Sequence, residues 1–371
     1  MRIIITYASA GAGHFKAAEA IYNYIRERCP QIQVLLVDIL KKANPLFRIS
    51  YSLGYSFLVR KATFLWRLAF WLTDVKPLRP FSRQIASVIN QLNTKGFAEF
   101  LIQENPDVII STHFLPAEIS SGLKRARKIN SRLVTIVTDF SIHAFWVSAG
   151  TDTYIVASQF SREQLVSEGI KEERIKEFGI PIDQKFLKQY DRSALCRKFD
   201  IDENKFTVLI MTGSFGLGPL EQIVNALYRG VQILVVCAAN KKLYARLKSR
   251  NLPDVRVFGF IDNAQELMAV SDIIITKPGG LTISEILGME LTPVFISAIP
   301  GQEVGNIEVL NKHGIGLCAA SIEDIKNIVS DFKEHRDKLK IIKAHIKRLR
   351  KPDCLREICN VVCQGGAGLG C

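Results

Sequence analysis

Short runs of aliphatic and β-branched residues recur along this chain, at 3–7, 34–37, 108–111, 133–138 and 153–156. They return at 207–211, 232–236, 255–258, 273–276 and 293–296. Most are apolar throughout, where a strand with one wet face would alternate, so the pattern predicts strands buried on both sides. In the first half, helical periodicity fills the intervals at 15–28, 82–103, 115–128 and 159–168. Strands and helices in alternation predict an α/β chain built on parallel sheets covered by helices.

The alternation runs twice, divided at Phe178-Gly179-Ile180-Pro181-Ile182, which reads as a linker. The expected organisation is an N-terminal domain over 1–180, a second over 181–350, and a flexible tail over 351–371. A last long helix is predicted from Ile322 to about Arg350, and the Gly-rich ending CQGGAGLGC reads as disordered. Two domains also suit 371 residues, which is long for one core.

With 48% hydrophobic and 23% charged residues, the composition is that of a folded chain. The net charge of +13 is uneven. Pro45 to Phe81 holds six basic residues against one acid, and Asp331 to Lys351 nine against three. Such charge draws nucleic acid, anionic membrane or acidic substrates without choosing among them. The eight cysteines lack paired metal-ligand spacing and read as reduced thiols, so no metal site is predicted. Met1 to Tyr7 enters a strand directly and is too short for a leader's apolar core. The longest uncharged run in the aromatic segment, Ile49 to Val59, is too short to span a bilayer.

The most informative stretch is KPGGLTISEILGMELTPVFISAIPGQEVGN, residues 277–306. A strand enters Pro278-Gly279-Gly280, a helix opens at about Leu281, and a second strand leads to Pro300-Gly301-Gln302-Glu303 and a helix start at Asn306. Amides of Gly279, Gly280, Leu281 and Thr282 at a helix N-terminus favour a phosphate, and Lys277 adds positive charge. Glu285, one turn inside, suits ribose hydroxyls, while Gln302 and Glu303 suit a sugar. Thr212-Gly213-Ser214-Phe215-Gly216-Leu217-Gly218 follows another strand and can offer amides to a diphosphate, with an ordinary tight turn as the other reading. Ala10-Gly11-Ala12-Gly13-His14 breaks the dinucleotide pattern at Lys16. His113 and His143 also end or follow strands on the edge where α/β sites form, with Asp139 near them.

With these motifs in view, KPGG-LT-SE followed by IPGQE-GN resembles the donor half of the monogalactosyldiacylglycerol synthases and processive diacylglycerol glucosyltransferases, and more distantly the glycosyltransferase that builds lipid II. The resemblance runs from Met1 to about Arg350. It implies a GT-B fold, two Rossmann-like domains facing a central cleft, and inverting transfer of glucose or galactose from a UDP-sugar to diacylglycerol. It makes His14 the base, and Gly13, His113, Asp139, His143 and Trp146 acceptor or supporting residues. Gly213, Ser214, Lys277, Gly279–Thr282, Glu285, Gln302, Glu303 and Asn306 go to the donor, with Phe260 and Ile261 beside uracil. No cofactor beyond the donor substrate is implied. Departures are Ala12 where many relatives have glycine, and Thr212 and Ser214 interrupting a glycine run.

Pro45 to Phe81 carries nine aromatics among its basic residues, which fits a segment lying in the headgroup region or the core of a helical hairpin. Relatives have a bilayer-docking insertion after the second strand, so the resemblance implies a peripheral, monotopic protein on the cytoplasmic face of the cell membrane. The basic C-terminal helix joins that surface, and nucleic acid is not an expected partner. Alternatives are an N-acetylglucosamine transferase acting on a polyprenyl-linked acceptor, a non-catalytic lipid or nucleotide binder, and a UDP-sugar epimerase. The Lys-Pro-Gly-Gly motif and the Gln302-Glu303 pair favour the diacylglycerol group.

Overall fold

The computed structural model describes residues 1–9, 11–51, 54, 79–296 and 302–363. They group into two compact units. One takes in Met1–Asp183, 302–305 and the chain from Lys351 onward; the other takes in Gln184 to the last-but-one strand and Asn306–Arg350.

The first unit is a six-stranded parallel sheet of β1 (Arg2–Tyr7), β2 (Gln33–Asp38), β3 (Val108–Ser111), β4 (Arg132–Ile136), β5 (Thr153–Ile155) and β6 (Ile175–Lys176). Its spatial order is β2-β1-β3-β4-β5-β6. The second holds β7 (Thr207–Met211), β8 (Gln232–Val236), β9 (Val255–Phe258), β10 (Ile273–Thr276), β11 (Thr292–Phe295) and β12 (Leu317–Cys318), ordered β12-β11-β10-β7-β8-β9. Every pairing is parallel.

The unbroken apolar strands follow from helices on both faces. Successive side chains of β1 feed different cores. Ile3 and Ile5 pack with Ala18, Ile21 and Ile25 of the first helix, Ala12–Arg28, while Ile4 packs with Leu40, Phe97, Leu101 and Leu115 on the other face. Val108 and Ile110 against Ile109 repeat the division on β3.

Several expectations need correction. The helix predicted over 82–103 is two, Arg79–Asn93 and Lys95–Glu104, divided at Thr94, whose hydroxyl donates to the Asn90 carbonyl at 2.8 Å. The long terminal helix also divides, into Ile322–Glu334 and Asp337–Leu349, with His335 and Arg336 between them. The helix placed at Asn306 starts earlier, as Gln302–Lys312.

The tail reading is corrected most. Cys354–Cys363 is a helix whose Leu355, Ile358, Cys359, Val362 and Cys363 are buried in the core cluster of β1 and the first helix. Arg132 donates to its Val361 carbonyl at 2.7 Å, and Lys351 pairs with Glu177 at 2.8 Å. Gly179, φ 95°, lies so close that an added Cβ would meet Lys351 Cβ at 2.7 Å, so only glycine fits. The end CQGGAGLGC lies outside the described residues beyond Cys363, as do most of 52–78, 297–301 and Ala10. No helix among the described residues is long and apolar enough to cross a membrane.

Ile358 is fully buried, so Ile358→Ala is expected to cost about 2–5 kcal/mol in a urea unfolding titration. An unchanged midpoint would restore the flexible tail.

Candidate active site

In a parallel sheet whose strand order reverses, the loops leaving the two diverging strands open a crevice at their carboxyl ends. In the first unit that point lies between β1 and β3, where Thr6 pairs with Ser111. The loop after β1 leads into the first helix, capped by Gly11, with His14 in its first turn. The loop after β3 carries Thr112 and His113. His14 and His113, two of the three predicted histidines, therefore share one crevice.

His14 Nδ1 lies 2.9 Å from the Thr112 carbonyl and 2.9 Å from Thr138 Oγ1. The Thr112 hydroxyl returns a bond to the His14 carbonyl at 2.8 Å. A carbonyl only accepts, so Nδ1 carries the hydrogen and Nε2 of the neutral ring is the basic nitrogen. Burial moves the His14 pKa down from 6.5 to about 4, with the Thr112 bond opposing. His113 is also held well below the usual histidine range, by burial first and by the neighbouring His14 second.

The rings of His14 and His113 meet edge to face with centroids 4.5 Å apart, and Trp146 stands 6.3 Å from His14. His113 Nδ1 accepts from the Leu115 amide at 3.0 Å, capping the helix Phe114–Arg125. His143 Nδ1 likewise accepts from the Phe145 amide at 3.2 Å, at the short 3-10 turn Ala144–Trp146. Asp139 follows Thr138 and is buried. Gly13 is the residue before His14 in the helix.

Residues that sequence reasoning missed complete the wall. Thr112 and Thr138 fix His14 from behind, and their only sequence signal is a hydroxyl at the end of an apolar strand. Phe114 stacks on Phe145 at 5.5 Å and lies 6.1 Å from Trp146 and 4.2 Å from His113. Tyr51, in contact with Phe47, reaches within 6.3 Å of His113. One basic nitrogen thus sits among aromatic rings.

In the second unit the order reverses between β7 and β10, which pair as Ile210 with Ile275. The loops leaving them are the two glycine-rich motifs. In 212–218, Gly216 has φ 58° and a Cβ there would stand 2.1 Å from the Cys237 carbonyl, so the chain turns against β8's exit only with glycine. Gly213 is exposed and Ser214 partly so. The helix Gly280–Gly288 begins at Gly279 with no side-chain cap, and the space beside Gly279 is open. Its first-turn amides at Gly280, Leu281 and Thr282 face no capping side chain, as an anion site requires. Lys277 before it and Glu285 inside it are partly buried.

Asn306 stands differently from its sequence reading as a donor contact. It is fully buried, and its side-chain amide donates to the Pro278 carbonyl at 3.0 Å, holding the Pro-Gly-Gly turn. Glu303 lies in the first turn of its helix; the Gln302 side chain lies outside what is described. Phe260 follows β9 and is 75% exposed, an unusual position for phenylalanine, with the partly buried Ile261 next to it.

One cysteine group was also unforeseen. The sulfurs of Cys29, Cys359 and Cys363 lie within 4.8 Å of one another, buried at the far end of the first helix from His14. Helical spacing places Cys359 and Cys363 on one face.

The comparisons with known proteins divide at the same place. Residues 14–182 match the model of monogalactosyldiacylglycerol (MGDG) synthase, and 207–349 match the glycosyltransferase family 28 C-terminal domain. The chain belongs to the family 28 glycosyltransferases of the MGDG synthase group. This glycosyltransferase is 27% identical over 367 residues to a processive diacylglycerol beta-glucosyltransferase of Staphylococcus epidermidis, covering 96% of this chain and 91% of the relative. It is 29% identical over 375 residues to a probable chloroplastic monogalactosyldiacylglycerol synthase of Nicotiana tabacum, covering 96% and 69%. The structure of Anabaena HepE in complex with UDP-glucose superimposes with a TM-score of 0.57 at 16% identity, covering 98% of this chain and all of that one. The fold is therefore GT-B.

A ring held neutral by burial adds stability that is complete above pH 6.5 and is lost as pH falls toward its folded value. Urea unfolding is expected to show stability declining from pH 7 to pH 5, and His14→Gln should remove part of that decline. Equal declines in both chains would reject the buried neutral ring.

Proposed function

We propose that this glycosyltransferase transfers glucose or galactose from a UDP-sugar to the 3-hydroxyl of diacylglycerol, or of a glycosyl-diacylglycerol, with inversion. The observation that carries the reading is the fixed orientation of His14 at the switch point of the first unit, with Nδ1 bonded to the Thr112 carbonyl and Nε2 without a protein partner among the described residues. An apolar acceptor is supported by the aromatic wall beside it. A nucleotide donor is supported by the uncapped helix at Gly279, the glycine loop after β7, and the UDP-glucose in the related HepE structure.

In this reading His14 Nε2 takes the acceptor proton while the oxygen attacks the anomeric carbon and the bond to the β-phosphate breaks. UDP leaves with the electron pair. The amides of 280–282 and the charge of Lys277 stabilise it, with no metal or further cofactor called for. Glu285 binds ribose, Gln302 and Glu303 bind the sugar, and Phe260 packs on uracil.

The acceptor is a membrane lipid, and we place the protein peripherally at the cytoplasmic face. Support comes from the helix Arg79–Asn93, whose Ile85, Val88, Ile89 and Leu92 are exposed at helical spacing, and from exposed Leu46 and Ile49. These lie at the two ends of the aromatic, basic segment. The basic helix Asp337–Leu349, with Ile341 exposed, is a second anionic-surface element.

With diacylglycerol in anionic liposomes, one labelled hexose donor should yield lipid-linked product, and EDTA should leave the rate unchanged. His14→Ala is expected to lower kcat about 10²–10⁴-fold with UDP affinity intact by calorimetry, and Glu285→Ala to raise the donor KM. Product from neither hexose, with UDP still bound, would redirect the assignment to N-acetylglucosamine and polyprenyl acceptors.

Replacing Val88 and Leu92 together by Asp should reduce co-sedimentation with anionic vesicles about tenfold or more without changing UDP binding. Undiminished sedimentation would dismiss this helix face as a docking element.

A further inference from the structure

A bond to a backbone group reveals which imidazole nitrogen carries the proton, because a carbonyl only accepts and an amide only donates. For His14 the backbone partner of Nδ1 is a carbonyl, Thr112, at 2.9 Å. For His113 it is an amide, Leu115, at 3.0 Å. The two neutral rings must therefore be opposite tautomers. His14 is protonated at Nδ1 and offers a lone pair at Nε2; His113 is protonated at Nε2 and offers a donor there.

The rings stand edge to face at 4.5 Å between centroids, inclined by 77°. Neither Nε2 bonds to another protein group among the described residues. A hydroxyl group is the ligand that complements such a pair, since it has one hydrogen to donate and two lone pairs to offer. A carboxylate or phosphate would meet an unfavourable lone pair at His14, and an ammonium would meet an N–H at His113. Burial keeps both rings neutral, so the complementarity persists at neutral pH.

We infer that His14 and His113 form a two-point clamp for one acceptor hydroxyl, with His113 as the positioning donor. The inference rests on the reaction proposed above. The acceptor O–H donates to His14 Nε2, and His113 Nε2–H donates to one lone pair of the same oxygen. The second lone pair is left to form the new bond to the anomeric carbon. The proton goes to His14 Nε2 and the leaving electron pair to UDP, so the step balances with these groups alone. Two contacts fix the direction of the attacking lone pair, which a single base does not. Sequence reading gave His113 only a general acceptor or supporting role; the Leu115 bond gives it a polarity.

The competing account is that His113 serves only as the helix cap. Two substitutions separate the roles, because the amide nitrogen of Gln falls near histidine Nε2 and the amide oxygen of Asn near Nδ1. His113→Asn keeps the acceptor for Leu115 and loses the donor; His113→Gln keeps a donor and loses the cap. Under the clamp, Gln retains kcat within about tenfold of the parent and Asn loses about 10²-fold, although Asn is the more stable chain by thermal unfolding. Asn as active as Gln, or more so, would overturn the clamp.

Two-bond ¹H–¹⁵N correlation spectra of histidine-labelled protein, with the two rings assigned through His14→Gln and His113→Asn, read the tautomers without any assay. The expected pattern is Nδ1–H for His14 and Nε2–H for His113. The reverse at either ring, with transfer intact, overturns the clamp alone. Absence of transfer in the parent chain, from any hexose donor, overturns the reaction and the clamp together.

Discussion

A parallel sheet cannot reverse its strand order without leaving a gap between two loops, and both units place their chemistry at that gap. The connections leaving β1 and β3 run opposite ways in the first unit, and those leaving β10 and β7 in the second. The loops leaving these strands carry His14, Thr112 and His113 in the first unit and the two glycine motifs in the second. Register within the sheet therefore determines site geometry. The amide of Thr112 continues the ladder to Thr6 at 3.0 Å, and the carbonyl of the same residue orients His14. A shift of one residue in that pairing would aim the imidazole elsewhere.

The two sites meet their electrostatic demands by opposite means. Around His14 burial suppresses charge, so the ring is neutral and its direction comes from its hydrogen-bond partners. At Gly279 the helix end has no side-chain cap, and the partial charge of its first-turn amides is not offset by one. Asn306 shows what such an open end requires behind it. A buried amide on a neighbouring helix holds the Pro278 carbonyl, so the turn keeps its shape without a side chain entering the space beside Gly279.

How far this was legible from the sequence depended on what each residue reports. Strands β3, β7, β8 and β10 were readable to the residue because a mostly apolar run buried on both faces has abrupt ends. Helix interruptions at Thr94 and at His335 were not, since the amphipathic pattern continues across them. His14 and the Pro-Gly-Gly helix stood out as motifs. Thr112 and Thr138 did not, because a backbone carbonyl has no sequence signature and a hydroxyl near a strand end is ordinary. Cys354–Cys363 looked like a tail because its apolar face has meaning only once β1 and the first helix are in place to receive it.

That last helix gives the chain an unusual order of assembly. The core cluster holding Ile3, Ile5, Ile21 and Ile25 also contains Leu355, Ile358 and Val362. During synthesis the first unit emerges early, yet one wall of its interior is a helix that follows the whole second sheet in sequence. Until then the first helix keeps an apolar face open, and the unit waits for its final piece through translation of the entire second sheet. Completion of the first core is thus linked to synthesis of the second unit. A truncated product would expose its defect in the half of the molecule most distant in sequence from the cut.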